Sequence, residues 1–69
     1  MYLNLKTEMI KMGITIEQVA SKLNLSGKTI SNKIEGKTPF SYEEALNIKE
    51  IFFPYCDMQW LFKKINLAG

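Results

Sequence analysis

The sequence contains no histidine and a single cysteine, Cys56. One cysteine rules out an internal disulfide, and without imidazole a Cys/His zinc site cannot be assembled. The same shortage bears on catalysis, since the lone thiol has no imidazole base and no glycine-rich phosphate loop is present. Glu43 and Glu44 are adjacent, so on a helix they point to different sides and do not converge as a carboxylate pair. The expectation is a protein that is not an enzyme and needs no cofactor. No apolar run approaches the roughly 18 residues of a membrane span. The N-terminus also lacks a charged region followed by an apolar stretch and a cleavage site. A cytoplasmic chain without a membrane partner is expected.

What the sequence does hold is the material of a core. Of its 69 residues, 46% are hydrophobic and 12% aromatic, well above a disordered composition. A single domain of this size buries little surface, so association with another chain is a natural source of added stability. The formal charge is only +2, yet Lys22, Lys28, Lys33 and Lys37 face Glu35 alone between residues 22 and 38. A local excess of this kind is the footprint of a phosphate-binding surface. A solvated helix face produces it equally well.

The chain reads as all-α, in five short helices each opened by a capping residue, with no strand-like alternation and no repeats. Asn4 is placed to cap the first, where Leu5, Met9 and Met12 fall on one stripe before Gly13 permits a turn. Thr15 and Gln18 form a capping box flanked by Ile14 and Val19 in staple positions, which predicts a helix over about 16–23. Ser26 is placed to cap the third helix, with Leu25 and Ile30 repeating the staple. Gly36 should end that helix, and Thr38, Pro39 and Phe40 must leave helical geometry. Ser41 and Glu44 form a second capping box, after which Ala45, Ile48 and Phe52 line an apolar face until Pro54. Asp57 caps a last helix whose Met58, Leu61 and Ile65 share a face.

Two short helices joined by so tight a turn need a small residue where they cross, and Ala20 supplies it beside Val19 and Leu23. The turn also needs a residue that tolerates positive φ. Asn24 is the usual substitute for glycine there. This is a helix-turn-helix pattern. A B-DNA major groove admits one α-helix while the preceding helix crosses the backbone. The segment from Ser26 to Glu35 would be the inserted helix, with Ile30 and Ile34 facing inward. Its Gly27, Lys28, Thr29, Asn32 and Lys33 can reach base edges or adjacent phosphates. Asn32 can pair with adenine N6 and N7, Lys28 can donate to guanine, and Thr29 can offer its methyl to thymine.

The stretch from Gly13 to Lys37 resembles the helix-turn-helix of the phage Cro and repressor family, the xenobiotic-response-element-type regulators. The resemblance rests on Gly13-Ile14-Thr15 before the first motif helix, Val19-Ala20 within it, Ser26 opening the second, and the closing run Ile30-Ser31-Asn32-Lys33-Ile34-Glu35-Gly36-Lys37. It extends over nearly the whole chain and implies a five-helix repressor-like DNA-binding domain spanning residues 1–69, with the motif at about 15–36. It further implies that Gly27, Lys28 and Asn32 read bases and that Thr15, Ser26, Lys37 and Thr38 hold phosphate. Two positions depart from the family pattern. Asn24 replaces the common turn glycine, and Lys33 stands where many members place a large apolar residue, which leaves open whether Asn32 or Lys33 points into the groove.

The functional expectation is therefore sequence-specific binding of double-stranded operator DNA in transcriptional control, with repression the family's usual mode. A protein-interaction module, such as an antitoxin-like or regulator-binding unit, is the alternative. A homodimer, formed on DNA through the segment around Trp60, Phe62 and Ile65, is expected because one recognition helix reads only a few base pairs. The same aromatic residues could instead be consumed in closing a small core.

Overall fold

Local capping chemistry sets most of the helix boundaries. The computed structural model describes residues 1–65, which form five helices and no strand. These are α1 (Leu3–Met12), α2 (Ile16–Leu23), α3 (Gly27–Ile34), α4 (Tyr42–Phe52) and α5 (Met58–Leu61). None of them is long and apolar enough to cross a membrane.

Both expected capping boxes are complete. Thr15 Oγ1 accepts the Gln18 N–H at 3.2 Å while Gln18 Oε1 accepts the Thr15 N–H at 2.8 Å. Ser41 and Glu44 repeat the exchange at 3.1 and 2.9 Å. Ser26 and Asp57 cap α3 and α5 through the N–H groups of Thr29 and Trp60. Each such cap stabilises by about 1 kcal/mol, because it satisfies a donor that the helix itself cannot.

The C-terminal ends of α1, α2 and α3 are equally regular. Gly13, Asn24 and Gly36 all adopt positive φ, at 69°, 56° and 86°. The residue after each donates back five positions, from Ile14 to Met9, Leu25 to Ala20 and Lys37 to Asn32, at 2.8, 3.0 and 2.9 Å. This is the Schellman closure, which satisfies carbonyls left over at the helix end. Its practical result is that Asn24 turns the chain from α2 into α3 within three residues.

The core gathers Leu5 and Met9 of α1, Val19 and Ala20 of α2, Ile30 and Ile34 of α3, Ile48 of α4 and Leu61 of α5 around Phe53, which is fully buried just past the end of α4. A second packing centre is aromatic. Tyr2, Phe40 and Phe62 form a triangle with ring centroids 5.2–5.9 Å apart and tilted or edge-on planes, the arrangement that ring quadrupoles favour. It binds together the N-terminal residues, the α3–α4 connection and the segment after α5.

Three local expectations are corrected. Asn4 does not cap α1: the helix starts two residues earlier than such a cap would set it, with Tyr2 in the cap position and no side-chain cap. Burial of the Tyr2 ring and donation of its N–H to Ile34 O at 2.9 Å hold the chain there. The Asn4 amide instead donates to Trp60 O at 2.8 Å, satisfying a carbonyl at the end of α5. The apolar stripe of α1 does not reach Met12, which is 50% exposed. The buried face of α1 comprises Leu5, Glu8 and Met9, and Glu8 accepts hydrogen bonds from Tyr55 Oη at 3.3 Å and Cys56 Sγ at 3.9 Å.

The last helix is also shorter than a face shared by Met58, Leu61 and Ile65 requires. It stops at Leu61, and Ile65 donates its N–H to Met1 O at 2.9 Å. A single extra turn is worth little in isolation, whereas leaving the helix places the Phe62 ring against Tyr2 and Phe40.

Candidate nucleic-acid interface

The residues singled out for DNA contact lie on or beside α3, so its orientation decides what they can do. Ile30 and Ile34 are buried on one side. At about 100° per residue, Lys28 and Asn32 fall on the opposite side. Lys28 is exposed and Asn32 half-buried. Among the described residues, neither side chain is engaged in a hydrogen bond or an ion pair. Thr29 lies beside them, half-buried, with its hydroxyl oxygen accepting from Ser26 Oγ at 2.9 Å.

Lys33 is placed differently. Its ammonium donates to Glu44 Oε1 and to Pro39 O, each at 3.0 Å, and lies 5.9 Å from the Phe40 ring centroid. Its side chain is only 14% exposed. The stem lies against apolar surface while the head group bridges α3 and the start of α4, so of the pair Asn32 and Lys33 it is Asn32 that faces away from the protein. The ammonium of Lys33 is thus engaged by two acceptors within the protein.

The remaining candidates divide by what their hydroxyls and charges already do. Thr15 Oγ1 accepts the Gln18 N–H, which leaves its proton free to donate. Ser26 both accepts from Thr29 N–H and donates to Thr29 Oγ1, so its side chain serves the fold on both counts. What Ser26 presents outward is the start of α3, where the N–H groups of Gly27 and Lys28 have no intrahelical carbonyl to reach. A Cβ on Gly27 would meet only Ile16 Cγ2, at 3.7 Å, an ordinary contact, so packing does not demand glycine at this position. Lys37 and Thr38 are exposed just past the Gly36 turn. Lys37 sits 3.5 Å from Glu35, both well exposed, in a pair that exposure to water makes weak.

Gly27, Lys28, Thr29 and Asn32 thus lie along α3, Thr15 caps α2 next to Ile16, whose side chain lies against Gly27, and Lys37 and Thr38 follow the Gly36 turn. Lys33 is turned away, toward Glu44 and Pro39. All nine cationic side chains of the protein are lysine, so the forked arginine contact to guanine is absent.

Cys56 belongs to another part of the molecule. Burial, and then the neighbouring Glu8 carboxylate, pushes its thiol pKa up, which holds it protonated as a donor to Glu8. No group of three or more potential metal-ligating side chains gathers among the described residues. The aromatic segment assigned to self-association is mostly committed as well, since Phe62 sits in the aromatic triangle and Ile65 pairs with Met1. Trp60 alone of the three stays substantially exposed, at 45%.

No protein-family model, curated protein or solved structure matches the chain.

Proposed function

We propose that this protein binds double-stranded DNA in a sequence-dependent manner through α2 and α3, used as a helix-turn-helix, and that it regulates transcription, as a repressor of the phage Cro type. The observation that carries the reading is the outer side of α3. Lys28 and Asn32 stand opposite Ile30 and Ile34 with no internal partner, on a short helix whose entry turn is held by Asn24 at φ 56°. An unpaired amide one turn from an exposed cation, on a helix narrow enough for a major groove, is the chemistry of base-edge readout. In this reading α3 enters the groove and the start of α2 lies along the backbone, where Thr15 donates to phosphate. The first-turn N–H groups of α3 add a second anion-facing element, and Lys37 adds charge at the far end.

One α3 contacts only a few base pairs, so the reading also requires two copies on a two-fold symmetric operator. The test is retention on duplex DNA at increasing salt. Displacing counterions from phosphates makes affinity fall steeply with ionic strength. A log–log slope of about −3 or steeper, together with enrichment of a defined sequence from a random duplex pool, is the expected result. Weak binding without sequence enrichment would instead favour a protein-interaction module, a reading supported by the exposure of Ile10, Tyr42, Ile51, Tyr55 and Trp60.

A further inference from the structure

The apolar surface of α1 is only partly used within the chain. Ile10 is 73% exposed although Met9 beside it is buried. Next to Ile10 a groove of about 190 Å³ opens between α1 and α3, floored by Met9, Ile14, Ile16 and Ile34. One charge of each sign flanks it: Lys6, one turn before Ile10 on α1, and Glu35, at the end of α3.

We propose that this groove is an interface between two copies of the chain, related by a two-fold axis. Ile10 of each copy enters the groove of the other, and Lys6 of each meets the partner's Glu35. A two-fold interface is made of one patch used twice, so the patch must carry both a projection and a hollow, and both members of each charge pair. This patch does, because Ile10 is the projection, the Met9–Ile34 floor is the hollow, and Lys6 and Glu35 are the two charges. The hollow is small for an organic ligand, whose sites typically reach about 300–1,000 Å³, but it admits a single aliphatic side chain. Glu35 is free to change partners, since its present contact with Lys37 is long and exposed.

The interface is expected to be weak. A stable complex covers about 800 Å² per partner, roughly a fifth of this chain's 4518 Å² surface, and one face of a ten-residue helix with the adjoining end of α3 offers less. The proposal takes from the functional reading only the expectation of two copies, and it moves the contact from the segment after α5 to α1. It is therefore tested without DNA.

Sedimentation equilibrium of the full chain from micromolar to millimolar concentration should show a reversible monomer–dimer equilibrium. Ile10→Glu should weaken it at least tenfold, and because Ile10 is exposed the thermal midpoint should stay close to that of the parent. Lys6→Glu and Glu35→Lys should each weaken dimerisation severalfold, and combining them should restore most of it. A chain that stays monomeric throughout the range, a dimer indifferent to Ile10→Glu, or a double charge swap no better than the singles would overturn the proposal. Dimerisation without DNA binding would sink the functional reading and leave this interface standing.

Discussion

The ammonium of Lys33 lies 3.0 Å from Glu44 Oε1 and thereby joins the last turn of α3 to the first turn of α4. The same carboxylate oxygen accepts the Ser41 N–H at 2.9 Å, so one atom closes a capping box and receives a cation from another helix. Lys33 also reaches Pro39 O, which pins the α3–α4 connection between its two ends. The tie adds to the packing of α3 against α2 and α1, and Lys33 itself is turned away from the outward side of that helix.

Acid should weaken this tie before it weakens the core. The Ser41 N–H, aided by Lys33, holds the Glu44 pKa below its ordinary value, against an opposing push from burial. A carboxyl whose pKa is depressed on folding contributes stability that is fully present above its unfolded-state value and is lost as pH falls through the folded value. Glu44→Gln keeps an acceptor for Ser41 but removes the charge. Urea midpoints of parent and variant should differ at neutral pH and converge below the carboxylate range. Parallel curves down to low pH would show that the ionised carboxylate contributes nothing.

Gly36 is constrained twice. Its φ of 86° lies in the left-handed region, and a Cβ there would approach the Met1 backbone nitrogen to 2.9 Å. The conformation alone costs an alanine about 1–2 kcal/mol, and the backbone of Met1 must also move. Gly36→Ala should lower stability by at least that amount, measured by denaturant unfolding, whereas Gly27→Ala, with its nearest contact at 3.7 Å, should cost little or even stabilise its helix. Equal losses at the two glycines would show that the close approach at Gly36 carries no weight.

These two glycines also mark how far local sequence carries. Capping boxes, the Asn24 turn and the Gly36 stop are decided by residues within a few positions of one another, and all of them were legible in the chain. What was not legible depends on distant partners. Asn4 finds Trp60 O across 56 positions and Glu8 finds Tyr55 across 47, and no periodicity signals either contact. Phe53 becomes a fully buried core residue although it lies outside any helix. For the candidate interface, the outward placement of Lys28 followed from the inward pattern of Ile30 and Ile34. The withdrawal of Lys33 did not, because it needs Glu44 and Phe40 delivered by the next helix and its connection.

The different placements of two lysines on one helix lead to opposite expected phenotypes. Lys28 is exposed and unpaired among the described residues, so Lys28→Gln should leave stability nearly unchanged and weaken DNA binding. Contact with a phosphate would reduce the salt slope by about 1; contact with a base would lower affinity for the preferred sequence instead. Lys33→Gln should do the reverse, lowering stability by about 1–3 kcal/mol through loss of charged hydrogen bonds while the salt slope stays as in the parent. Unfolding curves and salt titrations on the two variants check both halves, and a reduced slope for Lys33→Gln would place its head group on DNA after all.

Asn32 offers the sharpest test of how α3 is used. It stands one turn beyond Lys28 on the side opposite Ile30 and Ile34, and its amide, with one donor and one acceptor at the same end, matches the N6–N7 edge of adenine. A bidentate pair of this kind is worth about 1–3 kcal/mol of discrimination at a single base pair. Asn32→Ala should therefore lower affinity for the best sequence by that amount while affinity for unrelated duplex, which rests on phosphate contacts, barely moves. The position of the lost preference in a set of single-base-pair variants of the selected site would show which base the amide meets. The parent chain should prefer adenine there and the variant should accept all four pairs alike. A uniform loss on every duplex would assign Asn32 to the backbone and rotate the recognition surface toward Lys28 and Thr29.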